Sequence, residues 1–324
     1  MRILVTGGAG FIGSRYVRGL LDGDFGRYDD VEVTVLDKLT YAGRTTNLPM
    51  RDPRLTFVKG DVLDGALLDA LLPGHDAVVH FAAESHVDRS LRGASEFVST
   101  NVLGTQILFE GCLNARIERV VHVSTDEVYG SISENSWTEE HPLLPNSPYA
   151  ASKAGSDMIA RAYHRSHGLP VVTTRCSNNY GPRQYIEKVV PLFVTRLLSG
   201  LRIPLYGDGE NVREWLHVDD HCRAIQAVLD SGRPGETYNI GGGVELTNRD
   251  LTDRLLLLCD ADWSRVDRVA DRKGHDLRYS LDCGKIRDEL GFRPEVPFER
   301  GLAEVVDWYR ENRWWWAEPA ATMP

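Results

Sequence analysis

The tightest constraint on the fold lies in the first half of the chain, where short apolar runs alternate with helix-period segments. RILVTG (2–7), VEVTVLD (31–37), LTFVKGD (55–61), DAVVHFAA (76–83) and RVVHVST (119–125) each read as a strand. Helical patterns run from about Phe11 to Leu21 and over 94–113 and 149–167. Apolar strands separated by helices pair in parallel, because a parallel crossover needs a connecting helix and lays it on a face of the sheet. PVVTTRCSNNYG (170–181) reads as a sixth strand. The expected architecture is α/β, a doubly wound parallel sheet with helices on both faces.

After about residue 182 the texture changes. KVVPLFVTRLLSG (188–200) reads as a helix, IPLYGDG (203–209) as a short strand and turn, and TYNIGGG (237–243) as another strand. LTNRDLTDRLLLLC (246–259) is a helix opened by Thr247 or Asn248 as cap, and FERGLAEVVDWYRENRWWW (298–316) is a last helix. With 324 residues the chain is long for one core. We therefore expect residues 1–182 to form a dinucleotide-binding (Rossmann) domain carrying the reactive residues. Residues 183–324 form a smaller, mixed α/β substrate-binding lobe, some segments of which return to the first domain.

Charge and cysteine usage exclude several classes. The net charge is −10, so a nucleic-acid partner is not expected: neutralising a phosphate backbone needs a basic face. No apolar window of about 18 residues is present, and the start does not read as a secretory leader. Five scattered cysteines without C-x-x-C fit reduced thiols and a cytoplasmic setting. His217 and His221 lie four apart in HVDDH, but a metalloprotease helix needs Glu where Val218 stands, so no metal is expected.

Three motifs carry chemistry. TGGAGFIG places Gly7, Gly10 and Gly13 in the first strand-to-helix turn, where a dinucleotide pyrophosphate needs a tight turn and free helix N-terminal amides. Asp37 ends the second strand, 24 positions after Gly13. A carboxylate there accepts from a ribose diol and repels a 2′-phosphate, which favours NAD over NADP, although Lys38 beside it offers the opposite charge. Tyr149 and Lys153, in Y-x-x-x-K, share one helix face, and Pro148 suits the helix start. A neighbouring ammonium lowers a phenol pKa, so the pair makes a base able to take a hydroxyl proton as hydride leaves. Ser124-Thr125-Asp126-Glu127 closes the fifth strand, at the ligand-binding edge of such a sheet. Adjacent strand residues point opposite ways, so both carboxylates reach one substrate only where the backbone turns. Carboxyls with pKa values pushed apart can serve as acid and base. The same letters also suit a solvated turn with a capping aspartate, and Y-x-x-x-K alone suits a surface helix.

TGGAGFIG, VLDKLTYAG, HFAAESHVDRS, STDEVYG, SPYAASKA, NNYGP, PLYGDG, REWLHVDDH and TYNIGGG together resemble the extended short-chain dehydrogenase/reductase family, in its nucleotide-sugar dehydratase branch. The likeness runs from Met1 to about Trp308. Its specific part is STDEVYG joined to HFAAESHVDRS, since related epimerases normally lack the adjacent Asp-Glu pair. The resemblance implies tightly held NAD regenerated in each turnover, dTDP-glucose as substrate and a 4-keto-6-deoxy product. In that scheme Tyr149 takes the 4-hydroxyl proton, Lys153 lowers the tyrosine pKa and binds the nicotinamide ribose, and Thr125 hydrogen-bonds the sugar O4. Glu127 removes the C5 proton and Asp126 protonates the departing 6-hydroxyl.

The resemblance also implies further contacts. Phe11 and Ile12 join the glycines at the pyrophosphate, while Asp37, Lys38, Leu39 and Thr40 form the adenosine-ribose region. Asp61 and Val62 meet the adenine. Phe81, Ala82, Ala83, Ser85, Thr100 and Asn179 line the cofactor. Ser85, Asn178, Glu187, Lys188, Pro204, Leu205, Tyr206, Arg213, Asn248 and His275 form the sugar-nucleotide site. Tyr206 suits stacking on a pyrimidine, and Lys188 and Arg213 suit a diphosphate. It further implies a homodimer through the 94–113 helix and the helix bearing Tyr149. Arg44, Ile186 and Lys273 stand where the family pattern usually has Asn, Pro and Pro. Trp314–Trp316 read as a patch for a partner or as a cover for a groove on the protein itself. A related nucleotide-sugar 4-epimerase or decarboxylase is the alternative activity. A non-catalytic dinucleotide sensor is the alternative of another class.

Overall fold

The computed structural model describes residues 1–26 and 30–321, the side chains of 318–321 excepted. Its centre is a fully parallel sheet. The strands are β1 (Arg2–Thr6), β2 (Glu32–Asp37), β3 (Leu55–Lys59), β4 (Ala77–His80), β5 (Arg119–Thr125) and β6 (Val171–Cys176). With β7 (Asn178–Tyr180), β8 (Ile203–Tyr206), β9 (Val212–His217) and β10 (Thr237–Ile240) placed in order, the sheet runs β3-β2-β1-β4-β5-β6-β10. Strand order reverses between β1 and β4, and at such a switch point a ligand crevice opens beyond the carboxyl ends of the strands. The fold class read from the sequence is the one observed.

The helices of the first half are α1 (Phe11–Asp22), α2 (Gly65–Leu71), α3 (Val87–Arg92), α4 (Ser95–Phe97), α5 (Gly104–Ala115) and α6 (Pro148–His167). α6 begins where Ser147 accepts from the Ala150 N–H at 3.1 Å and Pro148 needs no partner for a missing N–H. The expected 94–113 helix is one rod from Ser95 to Ala115, interrupted by a π-helical stretch, Val98–Leu103. That stretch buries Thr100 and Asn101 toward the crevice, and no sequence periodicity foretells it.

In the second half, α7 (Val189–Leu198), α8 (Val218–Ser231), α9 (Asn248–Leu258), α10 (Gly284–Leu290), α11 (Phe298–Glu311) and α12 (Arg313–Ala321) accompany β11 (Val244–Thr247) and β12 (Val266–Val269). Thr247 is the α9 cap, in a reciprocal capping box with Asp250. Three expectations change here. The run 170–181 is two strands: β6 stays in the central sheet and β7 leaves to pair with β9, Asn178 opposite Trp215. TYNI is the seventh strand of the central sheet, Thr237 opposite Thr173. The last helix breaks at Asn312, a weak helix former outside helical geometry, so the tryptophans belong to α12.

The apolar packing follows this division. Ile3, Val5 and Val17 share one core with Leu216, Ile225 and Val228, so α8 lies on the same sheet face as α1. The other face packs α2, α5 and α6 through Leu68, Leu108 and Ala160. A separate core gathers Val190, Phe193, Leu255, Val305, Trp315 and Trp316 from α7, α9, α11 and α12. Ile186 is buried there, so its side chain fills core instead of meeting ligand.

Candidate active site

The cleft begins at the glycine turn. Gly7 has φ +68°, and a Cβ there would lie 2.6 Å from the Ala82 nitrogen; one on Gly13 would lie 2.4 Å from the Gly7 carbonyl oxygen. Only hydrogen fits at either place, which brings α1 against the turn. α1 opens on Gly10 with no side-chain cap and no acid in its first turn, so its first amides and positive dipole end are left for an anion. At the end of β2 the Asp37 carboxylate accepts from the N–H groups of Ala9 (3.0 Å) and Leu39 (2.8 Å). Burial raises its pKa and those two donors oppose the rise. Lys38 is 3.3 Å from Asp61, so its charge is partnered and does not await a 2′-phosphate. This cradle fits an NAD pyrophosphate and ribose.

Gly7, Gly10, Phe11, Ile12, Gly13, Asp37, Lys38, Thr40, Asp61, Val62, Phe81, Ala82, Ala83, Ser85, Thr100 and Asn179 all line one cleft. Leu39 does not. Its φ of 55° turns the chain, its side chain packs on the core, and it acts only through the N–H given to Asp37.

Thr125, Asp126, Glu127, Tyr149 and Lys153 line the same cleft. β5 ends at Thr125 and passes directly into a 3-10 turn, Asp126–Tyr129, which is how neighbouring carboxylates come to face one space. The Thr125 hydroxyl accepts from the Glu127 N–H at 3.3 Å and lies 3.3 Å from an Asp126 oxygen. Gly130, at φ +85°, closes the turn where a Cβ would sit 2.3 Å from the Leu144 carbonyl oxygen. Tyr149 is held edge-on to Phe97, with ring centroids 6.3 Å apart. Lys153, 4% exposed, donates to the Val123 carbonyl at 2.8 Å.

The electrostatics separate the two carboxyls. Asp126 is 2% exposed, and its Oδ2 has no hydrogen-bond partner. Burial, then Glu127 and Glu214, push its pKa well above the carboxylate range, outweighing Arg213 and the Thr125 hydroxyl. Burial also raises Glu127, but three cations oppose it, Arg272, Lys188 and Arg213. Burial therefore favours the protonated form of Asp126, and the three cations make Glu127 the more readily ionised group. Tyr149 differs from the sequence expectation. Burial, then Glu127 and Cys176, push its phenol well above 10, with the Thr125 hydroxyl opposing. Burial lowers Lys153 to about 8 and its ammonium is directed to Val123, so the protein by itself does not produce a lowered tyrosine.

A second cavity continues from the first through Glu127, Asn178, Asn179, Gln184, Glu187 and Lys188. Pro204, Leu205, Tyr206, Arg213, Asn248 and His275 line it. Lys188 donates to the Ser85 carbonyl at 2.7 Å. Arg213 donates to the Asp276 carbonyl at 3.0 Å and lies over the Tyr279 ring at 4.3 Å. Tyr206 is 36% exposed, with its ring edge-on to His275 and its hydroxyl 3.2 Å from Asp88. Arg272 was missed. It lines this cavity with a buried, unpartnered Nε, and its position three residues before His275 in ADRKGHD was the available signal. Gln184 and Glu84 are likewise lining residues without a sequence signal.

Among the described residues no group of three or more His, Cys, Asp or Glu is placed to hold a metal. His217 instead caps α8, accepting from the Asp219 N–H at 3.3 Å, and His221 hydrogen-bonds the Asn179 side chain at 2.9 Å.

A family profile described as GDP-mannose 4,6 dehydratase matches residues 4–305. A dTDP-glucose 4,6-dehydratase of Streptomyces antibioticus is 62% identical over 100% of this chain and 96% of its own. One from an Actinoplanes strain is 60% identical over 98% of this chain and 100% of its own. The crystal structure of DesIV, a dTDP-glucose 4,6-dehydratase from Streptomyces venezuelae with NAD bound, superposes with a TM-score of 0.97. It shares 65% identity over 98% of this chain and 99% of its own.

Proposed function

The chain belongs to the family described as GDP-mannose 4,6 dehydratase, and within that family we propose that it converts dTDP-glucose to dTDP-4-keto-6-deoxyglucose and water. The observation that carries this reading is the Asp126-Glu127 pair, two carboxyls in opposed environments beside Tyr149 in one cleft. NAD, bound along the glycine turn and Asp37, supplies a hydride acceptor for C4 and a donor for C6.

The chain's own groups do the rest. The Thr125 hydroxyl orients the sugar O4, and Tyr149 removes its proton. Lys153 holds the nicotinamide ribose, and its ammonium, turned from Val123 toward the phenol when ligand fills the cleft, would favour the phenolate. The new 4-ketone acidifies C5–H, and Glu127 accepts that proton. Asp126, whose protonated form burial favours, gives its proton to the 6-oxygen, so water leaves, and Glu127 returns a proton to C5 as C6 is reduced. Lys188, Arg213 and Arg272 neutralise the diphosphate, and Tyr206 stacks on the base.

Residues 1–182 hold cofactor and reactive groups. Residues 183–324 mainly hold the sugar nucleotide, with α8, β10 and α10 returned to the central sheet. We read the protein as a cytoplasmic homodimer. Val98, Leu103 and Met158 are about half exposed on the Ser95–Ala115 rod and α6, and all five cysteines are unpaired. No described helix is long and apolar enough to cross a membrane.

Incubation with dTDP-glucose and with UDP-glucose, followed by NMR of the products, tests the reading. A 4-keto-6-deoxy product from dTDP-glucose supports it. A 4-epimer, or NAD binding without turnover, replaces it with an epimerase or a sensor.

A further inference from the structure

The reaction removes hydride from a sugar and returns it to the same sugar, so the reduced cofactor must stay in place between the two steps. We propose that α12 is a latch for this purpose: Trp315 and Arg44 clamp the 40–47 segment over the cofactor cleft and set how long the dinucleotide stays bound. The proposal rests on NAD occupying that cleft.

The segment crosses the site directly. Thr40, Ala42 and Gly43 line the cleft, and a Cβ on Gly43 would lie 2.7 Å from an Asp37 carboxylate oxygen. Two residues of the segment, Arg44 and Asn47, tie it down through one short network. The Arg44 N–H and the Asn47 side-chain amide both donate to the Ala9 carbonyl in the glycine turn, at 3.0 and 2.9 Å. Trp315 holds those same two residues from the other side. Its carbonyl accepts from the Arg44 guanidinium at 2.7 Å, its ring lies 4.9 Å from that guanidinium, and its indole N–H donates to the Asn47 Oδ1 at 2.9 Å. Thus α12, last in the chain, reaches the glycine turn through one residue.

Trp315 itself packs against Trp308 and Tyr309 in the second core, but α12 has a further anchor beside it. Trp316 is buried on its own account, with its indole N–H given to the Tyr309 carbonyl at 2.8 Å. α12 therefore has an anchor that does not involve the cofactor segment. The opposite margin of the segment is held by Arg89, 3.7 Å over the Tyr41 ring, and by Tyr185, edge-on to Tyr41 at 5.4 Å. Arg44 stands where the family pattern carries asparagine, too short to span from the segment to both the carbonyl and the ring of Trp315.

The test is the rate at which NAD leaves the purified holoprotein. Parent, Arg44→Asn and Trp315→Phe are diluted, and released NAD is followed by ultrafiltration, with thermal unfolding as the control for folding. Trp315→Phe keeps ring packing and deletes the N–H given to Asn47. Each variant should remain folded and release NAD about tenfold faster, the loss expected for one partly buried charge-assisted or one buried indole hydrogen bond. Folded variants that release NAD at the parent's rate overturn the latch alone. A parent that holds no NAD overturns the cofactor assignment and the latch with it.

Discussion

Asp126→Asn isolates one proton. Asp126 is 2% exposed, its Oδ2 has no partner, and burial with Glu127 and Glu214 favours the protonated form of its carboxyl. The amide therefore replaces a neutral group of the same shape, and the Thr125 hydroxyl keeps its partner 3.3 Å away. Stability and sugar binding should move by less than about 1 kcal/mol, because no buried charge is created or stranded. Proton delivery to the 6-oxygen is lost outright. Positioned general acids contribute about 10²–10⁴-fold, or roughly 3–5 kcal/mol at 1.36 kcal/mol per decade. Product formation should fall by that factor while oxidation at C4 proceeds near the parent rate. In a single turnover the near-ultraviolet absorbance of reduced nicotinamide should rise and persist. In D₂O the C5 hydrogen should still exchange, since Glu127 is intact. An initial oxidation that falls in step with product formation would refute the assignment, as would product released at the parent rate.

Three further outcomes follow from the same geometry. Glu127→Gln should also spare oxidation and block water loss, but without C5 exchange, which an NMR exchange assay reads. Burial holds Lys153 at about 8 against an unperturbed 10.5, so from pH 8 to about 10.5 the unfolded chain binds more protons than the folded one. Stability carried by this residue should therefore rise with pH through that window, by roughly 3 kcal/mol. Urea unfolding of cofactor-stripped parent should show that gain relative to Lys153→Met; equal slopes would contradict it. Burial works against the Asp157 carboxylate, but Arg175 at 2.9 Å and His122 at 3.3 Å overcome it and hold the pKa at about 2. Asp157→Asn strands a buried guanidinium and should cost about 3–5 kcal/mol in urea unfolding. The stabilisation should be present above pH ~4 and be lost as pH falls toward 2 in the parent only.

Much of this was legible in the letters because each signal had a local cause. The glycines, the strand-end Asp37 and Pro148 before Tyr149 act within a few residues of themselves, so spacing located them. The Asp126-Glu127 pair was ambiguous for the reason that the structure resolves: a strand predicts opposite faces, and only the turn after Thr125 brings them together. What escaped depends on distant partners. TYNI looks like a strand of the second lobe, but its pairing with β6 is set by the path of α8, which a linear pattern does not carry. The π-helical stretch at 98–103, the unpartnered Arg272 Nε and the docking of Trp315 on Asn47 are likewise long-range outcomes. The expected lowering of Tyr149 by Lys153 failed because spacing gives proximity but not burial, and burial dominates both groups.

The central claim is that one enzyme oxidises C4, eliminates water across C5 and C6, and returns the same hydride to C6. Turnover of dTDP-[4-²H]glucose in ordinary water, with the product read by NMR and mass spectrometry, tests it most directly. The account predicts a 4-keto-6-deoxy product with deuterium at C6, solvent hydrogen at C5 and no net NADH. Deuterium remaining at C4 of an epimerised hexose, or appearing in released NADH, would contradict it.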